Sequence, residues 1–211
     1  MDERHATCRA FARCFNFLCT ACIFALKIRA VPNKVRIIGG QWRSRIIPFA
    51  PEAGLRPTAD RVRETLFNWL GQTLEGKTCL DLFAGSGALG FEASSRGAAR
   101  VTLIERNPKV VSVLRENAAK LNASQVDIIR ADGLEWLRKE AGVYDVIFLD
   151  PPFQAGVLEK LLPLLHARLR PEGCAYVESG AAITPPPDMR LAKSGRAGQV
   201  YYGLLTRNEH A

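Results

Sequence analysis

Between Lys77 and Ser179 the chain alternates five apolar runs with four stretches of helical period. The runs are KTCLDLFAG, VTLIE, QVDIIRAD, YDVIFLD and GCAYVES. Between them lie ALGFEASSRG, KVVSVLRENAAKLN, GLEWLRKEAG and GVLEKLLPLLHARLR. Strands that are apolar along their whole length need cover on both faces. Alternation with helices supplies that cover and makes the sheet parallel. Asn107-Pro108 provides an N-cap and a first-turn proline for the second helix. Pro163 falls inside the fourth, where a kink is expected. The segment from Asp188 to Arg207, ending GQVYYGLLTR, reads as a terminal antiparallel hairpin. The fold class is therefore α/β, a seven-stranded, mostly parallel sheet closed by a C-terminal antiparallel hairpin.

Upstream the pattern differs. KVRIIGGQWRSRIIPFAP predicts a short hairpin turning at Gly39-Gly40. GLRPTADRVRETLFNWL predicts a helix with Thr58 as N-cap, an apolar face of Val62, Leu66, Trp69 and Leu70, and Gly71 as its stop. Three regions follow: an extension over 1–33, a basic hairpin and helix over 34–72, and a catalytic domain over 73–211. The extension has a twelve-residue uncharged run, Phe15 to Leu26, too short for a spanning helix of roughly 20 residues. Asp2 and Glu3 fit a signal peptide poorly, and no cleavage site follows. Cys19-x-x-Cys22 has zinc-ligand spacing, but Cys8 and Cys14 stand irregularly, so no metal is expected. The extension reads as sequence outside the functional domain, with Val31 and Val35 as candidate starts. Cys79 and Cys174 sit singly in apolar runs, as buried thiols do in a reducing compartment.

Two motifs carry chemistry. Gly85-x-Gly87-x-x-Gly90 follows the first strand and opens a helix, letting the backbone approach a ligand. Acidic Glu105 ends the next strand, where a carboxylate can accept both hydroxyls of a ribose. Together they predict a nucleoside-containing cofactor. The second motif is Asp150-Pro151-Pro152-Phe153, after YDVIFL. The first strand ends in Asp81 and continues F-A-G-S-G, which resembles motif I of S-adenosylmethionine-dependent methyltransferases. In that motif the acid and the glycine loop face the amino-acid end of the cofactor. Asp150-Pro151-Pro152-Phe153 resembles the motif of methyltransferases that act on exocyclic amines. An aryl amine is a poor nucleophile because its lone pair is delocalised into the ring. A carboxylate at 150 and the Pro151 carbonyl can accept its two N–H bonds and aim the lone pair at a methyl group. Prolines bring no competing N–H, and Phe153 can stack on the base.

RIIGGQWR, then LRPTADRVRETLFNWL, LDLFAGSGALGFEASSRGA, DPPF, YVES and GQVYYGLLTR resemble the bacterial 16S ribosomal RNA guanine-N2 methyltransferases of the RsmD type. The resemblance covers about Lys34 to Arg207. It implies a Rossmann-like class I methyltransferase fold and S-adenosylmethionine as cofactor. It further implies that Asp132 meets the cofactor's adenine, although an N-cap role is open to it as well. The implied reaction is methyl transfer to guanine N2 of 16S rRNA in an assembled or assembling small subunit. A cytoplasmic monomer without membrane contact is expected.

Charge agrees with an RNA partner. The chain carries 29 Lys and Arg against 21 Asp and Glu, a formal +8. From 34 to 63 there are seven basic residues against Glu52 and Asp60, a net +5 in one segment. Arg36, Trp42, Arg43, Arg45, Arg56, Arg61 and Arg63 are the candidate RNA contacts, arginines for phosphates and the indole for a base. Arg61 and Arg63 fall within the helix and have Asp60 and Glu64 as alternative partners. Rival readings are an adenine-N6 methyltransferase, a non-catalytic RNA-binding protein on the same fold, and a nicotinamide oxidoreductase. The intact glycine loop, Glu105 and DPPF oppose the second, and DPPF has no task in the third.

Overall fold

The computed structural model describes residues 33–50, 58–152 and 156–208. The extension over 1–32 with its four cysteines, Arg56 and Phe153 lie outside the described residues. Those described belong to one compact unit, Pro32–Ala211. A two-stranded ribbon, β1 (Asn33–Arg36) and β2 (Ile46–Phe49), precedes α1 (Asp60–Trp69). Then come β3 (Thr78–Asp81), α2 (Ala88–Ser95), β4 (Arg100–Glu105), α3 (Pro108–Leu121), β5 (Val126–Arg130), α4 (Gly133–Lys139) and β6 (Tyr144–Leu149). The chain ends in α5 (Val157–Leu165), β7 (Leu169–Ser179), β8 (Met189–Ala197) and β9 (Val200–Arg207).

The main sheet has the order β5-β4-β3-β6-β7-β9-β8. The first five strands in that order are parallel, β9 runs antiparallel to β7, and β8 runs antiparallel to β9. The predicted class is thus found. One face carries α1, α2 and α3 over a core of Leu66, Phe67, Phe91, Leu103, Leu114 and Phe148. The other carries α4 and α5 over Leu80, Ile104, Leu137, Ile147, Leu161 and Val177. The strand order reverses between β3 and β6. Ligands of open α/β sheets bind at the carboxyl ends of such strands.

Three local expectations need correction. The ribbon does not turn at Gly39-Gly40: its reversal lies at Gln41–Ser44, where Arg45 N–H donates to Trp42 O at 3.0 Å. Gly39 and its neighbours are instead tied to α2. Thr58 does not cap α1. The N-cap is Ala59, without a side-chain bond, because the Thr58 hydroxyl is engaged elsewhere. Helix α5 stops at Leu165, two residues past Pro163, and Leu169 already pairs with Tyr144 as the start of β7. Burial of Leu169 in the sheet overrides the helical pattern that ran on to Arg170.

Helix α2 is buried along its whole length, between the sheet and the basic segment. Its polar residues therefore need partners, and they clasp that segment. Glu92 accepts the N–H groups of Ile38 and Gly39, each at 2.7 Å. Ser95 Oγ donates to Gly39 O at 2.6 Å and accepts Trp42 N–H at 2.9 Å. Arg63 donates to Asp60 at 2.6 Å, to Arg36 O at 2.8 Å, to Thr58 O at 3.2 Å and to Glu92 at 3.4 Å.

Candidate active site

Parallel register places four carboxylates side by side. Asp81 pairs with Leu103 on β4 and with Phe148 on β6, and Leu149 pairs with Val177 on β7. Side chains alternate along a strand, so Glu105, Asp81, Asp150 and Glu178 project from the same face of the sheet. They follow one another across β4, β3, β6 and β7 at its carboxyl edge. All four line a cleft of about 980 Å³.

Of the three glycines Gly85 lines the cleft, with Ser86 and Ala88, while Gly87 and Gly90 are not among its lining residues and instead shape the loop. Gly87 takes φ +77° as N-cap of α2, and a Cβ there would stand 2.6 Å from the Phe91 ring. Gly90 lies against the Leu103 side chain, with no room for a Cβ, so helix and strand approach closely. Its N–H donates to the Asp81 carboxylate at 3.1 Å. Gly85 N–H donates to Glu105 Oε2 at 3.1 Å, and Asn107 N–H to Oε1 at 2.7 Å. Glu105 thus braces the loop while facing the cleft. Asp132 also lines the cleft and caps α4 through Glu135 N–H at 3.1 Å, so the capping role holds. Together these residues make a cradle with room for a nucleoside and acids at its rim.

Burial sets the electrostatics. It raises the Asp81 carboxyl to about 7, against the Gly90 and Phe83 N–H groups, with Glu105 adding to the rise. Burial, then the charges of Glu178 and Asp81, push Asp150 well above the usual carboxylate range, opposed by the Thr58 hydroxyl. Glu178 is raised by burial and steadied by hydroxyl donors: Thr58 Oγ1 at 2.8 Å and Tyr176 OH at 2.9 Å, both to Oε1. Pro151 and Pro152 line the cleft beside Asp150. From sequence, Glu178 draws no assignment and Thr58 only that of a helix cap. YVES ends a strand with an acid near its tip, as VTLIE does, and that position was the available signal.

The RNA candidates divide. Arg36, Arg43, Arg45 and Arg61 are exposed, and the last three form no ion pair among the described residues. Arg36 pairs with Asp60 at 3.2 Å on the surface. Ile46, next to Arg45 at the start of β2, is 60% exposed. Trp42 and Arg63 are corrections. Trp42 is buried in the core, where no base can stack on it, and Arg63 is fully enclosed by its four acceptors.

A sheet in this order, with a glycine loop and acids at its switch point, defines a Rossmann-like methyltransferase. The family described as "Conserved hypothetical protein 95" matches residues 35–206. The chain is 45% identical over 180 residues to ribosomal RNA small subunit methyltransferase D of Escherichia coli strain K12, covering 83% of this chain and 91% of that one. It is 42% identical to the protein of the same name from Haemophilus influenzae, covering 82% and 93%. The solved structure of Escherichia coli yhhF superimposes with a TM-score of 0.77 at 45% identity, over 83% of this chain and 99% of that one. The chain belongs to the ribosomal RNA small subunit methyltransferase D family.

Proposed function

We propose that this enzyme transfers a methyl group from S-adenosylmethionine to the exocyclic N2 of a guanine in 16S rRNA, within an assembled or assembling small subunit. The observation that carries the reading is Asp150-Pro151 set at the switch point, one strand from the cradle formed by Asp81, the glycine loop and Glu105. The cradle fits the cofactor: Glu105 would hold its ribose, Asp132 its adenine, and Asp81 its cationic amino-acid end. Bound there, S-adenosylmethionine supplies an electrophilic methyl group on sulfur. The Asp150 carboxylate and the Pro151 carbonyl accept the two N2 hydrogens and hold the lone pair in line. As the N–C bond formed and the methyl–sulfur bond broke, leaving a neutral thioether, positive charge would pass to nitrogen beside Asp150, which would then take the proton that the nitrogen must lose. Its burial beside two other acids raises its proton affinity and suits it to that task.

The test is transfer of labelled methyl to small subunits from a strain lacking the gene. Label in N2-methylguanosine is expected; label in N6-methyladenosine would favour the adenine reading. Glu105→Ala loses the brace on Gly85 and an acceptor in the cradle. Cofactor affinity, read by calorimetry, should fall about tenfold or more, because hydrogen bonds to charged groups are worth roughly 1.5–3 kcal/mol. Unchanged affinity would remove Glu105 from the cofactor site. Replacing Arg43 and Arg45 together with Ala should weaken RNA binding and flatten its salt dependence, by about 0.9 in log–log slope for each phosphate no longer neutralised. An unaltered slope would show that these arginines do not touch phosphate.

A further inference from the structure

Glu178 is left over by the mechanism above, although it is only 6% exposed and lines the cleft. It stands one step beyond the Leu149–Val177 pair, directly across from Asp150 on the neighbouring parallel strand, about 4.8 Å away in backbone spacing. It lies on the side away from Glu105 and Asp81, beyond the residue that holds the amine. Two hydroxyls, from Thr58 and Tyr176, converge on its Oε1. Its Oε2 takes no hydrogen bond among the described residues. A buried acid that lines the cleft, with both of its hydroxyl donors converging on Oε1, keeps Oε2 to accept from a further donor.

We infer that Glu178 is the residue that selects guanine, its free carboxylate oxygen accepting N1–H while Asp150 accepts from N2. The inference rests on the guanine-N2 reading. Guanine presents N1–H and the N2 amine as adjacent donors on one edge. Adenine presents a donor amine next to an unprotonated N1, whose lone pair would face the carboxylate. A carboxylate buried and left unpaired is costly, so the wrong base is rejected by what it fails to donate. Thr58 has a positioning part: its hydroxyl fixes Glu178, while its carbonyl is held by Arg63.

The experiment uses small subunits reconstituted with either guanine or 2-aminopurine at the methylated position. 2-Aminopurine keeps the N2 amine and lacks N1–H. The wild-type enzyme should transfer to 2-aminopurine at least about 10²-fold more slowly than to guanine, the discrimination expected of a site built around a donor. In Glu178→Gln, whose amide can donate to an unprotonated N1, that ratio should shrink about tenfold or more, with cofactor affinity retained by calorimetry. Equal wild-type rates on the two bases would overturn the inference, as would a Glu178→Gln enzyme that binds cofactor and keeps the wild-type ratio. Should Glu178→Gln fail to fold, the wild-type comparison still decides. Wild-type label on any group other than guanine N2 would overturn the parent reading together with this one.

Discussion

Asp150→Ala should keep the fold and the affinity for S-adenosylmethionine, yet lose methyl transfer by about 10²-fold or more, the scale for one group aimed at developing charge. Asp150 directly follows β6 at the switch point, with its neighbour Leu149 fully buried and paired to Val177, so the backbone there is fixed by the sheet. Removing the carboxyl relieves crowding among Asp81, Asp150 and Glu178 rather than opening a core cavity. Its interaction strengthens as charge moves onto nitrogen, so the loss should appear in turnover more than in binding. Asp150→Asn should be milder, since an amide oxygen still accepts one N–H. Single-turnover transfer to purified small subunits reads the effect. Near wild-type transfer by Asp150→Ala would show that DPPF is a structural turn.

The second large effect is on stability. Arg63→Ala should cost about 3–5 kcal/mol, the range for removing one partner of a buried ion pair. Both Arg63 and Glu92 are fully buried, and the guanidinium reaches four acceptors, on α1, β1, α2 and at Thr58 ahead of α1. Arg63→Lys should recover little, because one ammonium cannot span the same acceptors in the plane of a guanidinium. Against a total stability of roughly 5–15 kcal/mol, either change should bring the urea midpoint down sharply with the slope nearly unchanged. A loss below about 1 kcal/mol would mean that the clasp between basic segment and α2 is not held by this pair. The same residue steadies the Thr58 carbonyl, so surviving enzyme should also transfer methyl more slowly.

What could be read from the chain was what is written locally. Uniformly apolar strands, Asn107-Pro108 and Gly85-x-Gly87-x-x-Gly90 each act within a few residues of themselves, and each lies where expected. Asp81, Glu105 and Asp150 at strand tips were legible for the same reason, since a strand end is a local position, whereas Glu178 in YVES was missed. Trp42 and Arg63 were not, because basic sequence around them is equally at home on a surface. What buries them is α2, about 50 and 30 residues further on, through Ser95 and Glu92. Thr58 looked like a cap because Thr-x-Asp before a helix usually is one. Its partner Glu178 stands 120 residues away, a pairing that only the sheet order creates. Asp132 shows the converse, since a cap and a cleft-lining acid are the same residue.

Whether this chain methylates N2 of a guanine in small-subunit rRNA is tested most directly by mass mapping of modified nucleosides in 16S rRNA from a strain lacking the gene. One N2-methylguanosine should vanish, return with the wild-type gene, and stay absent with Asp150→Ala. A map that keeps every N2-methylguanosine in the deletion strain, or one that loses an N6-methyladenosine in its place, would contradict that assignment.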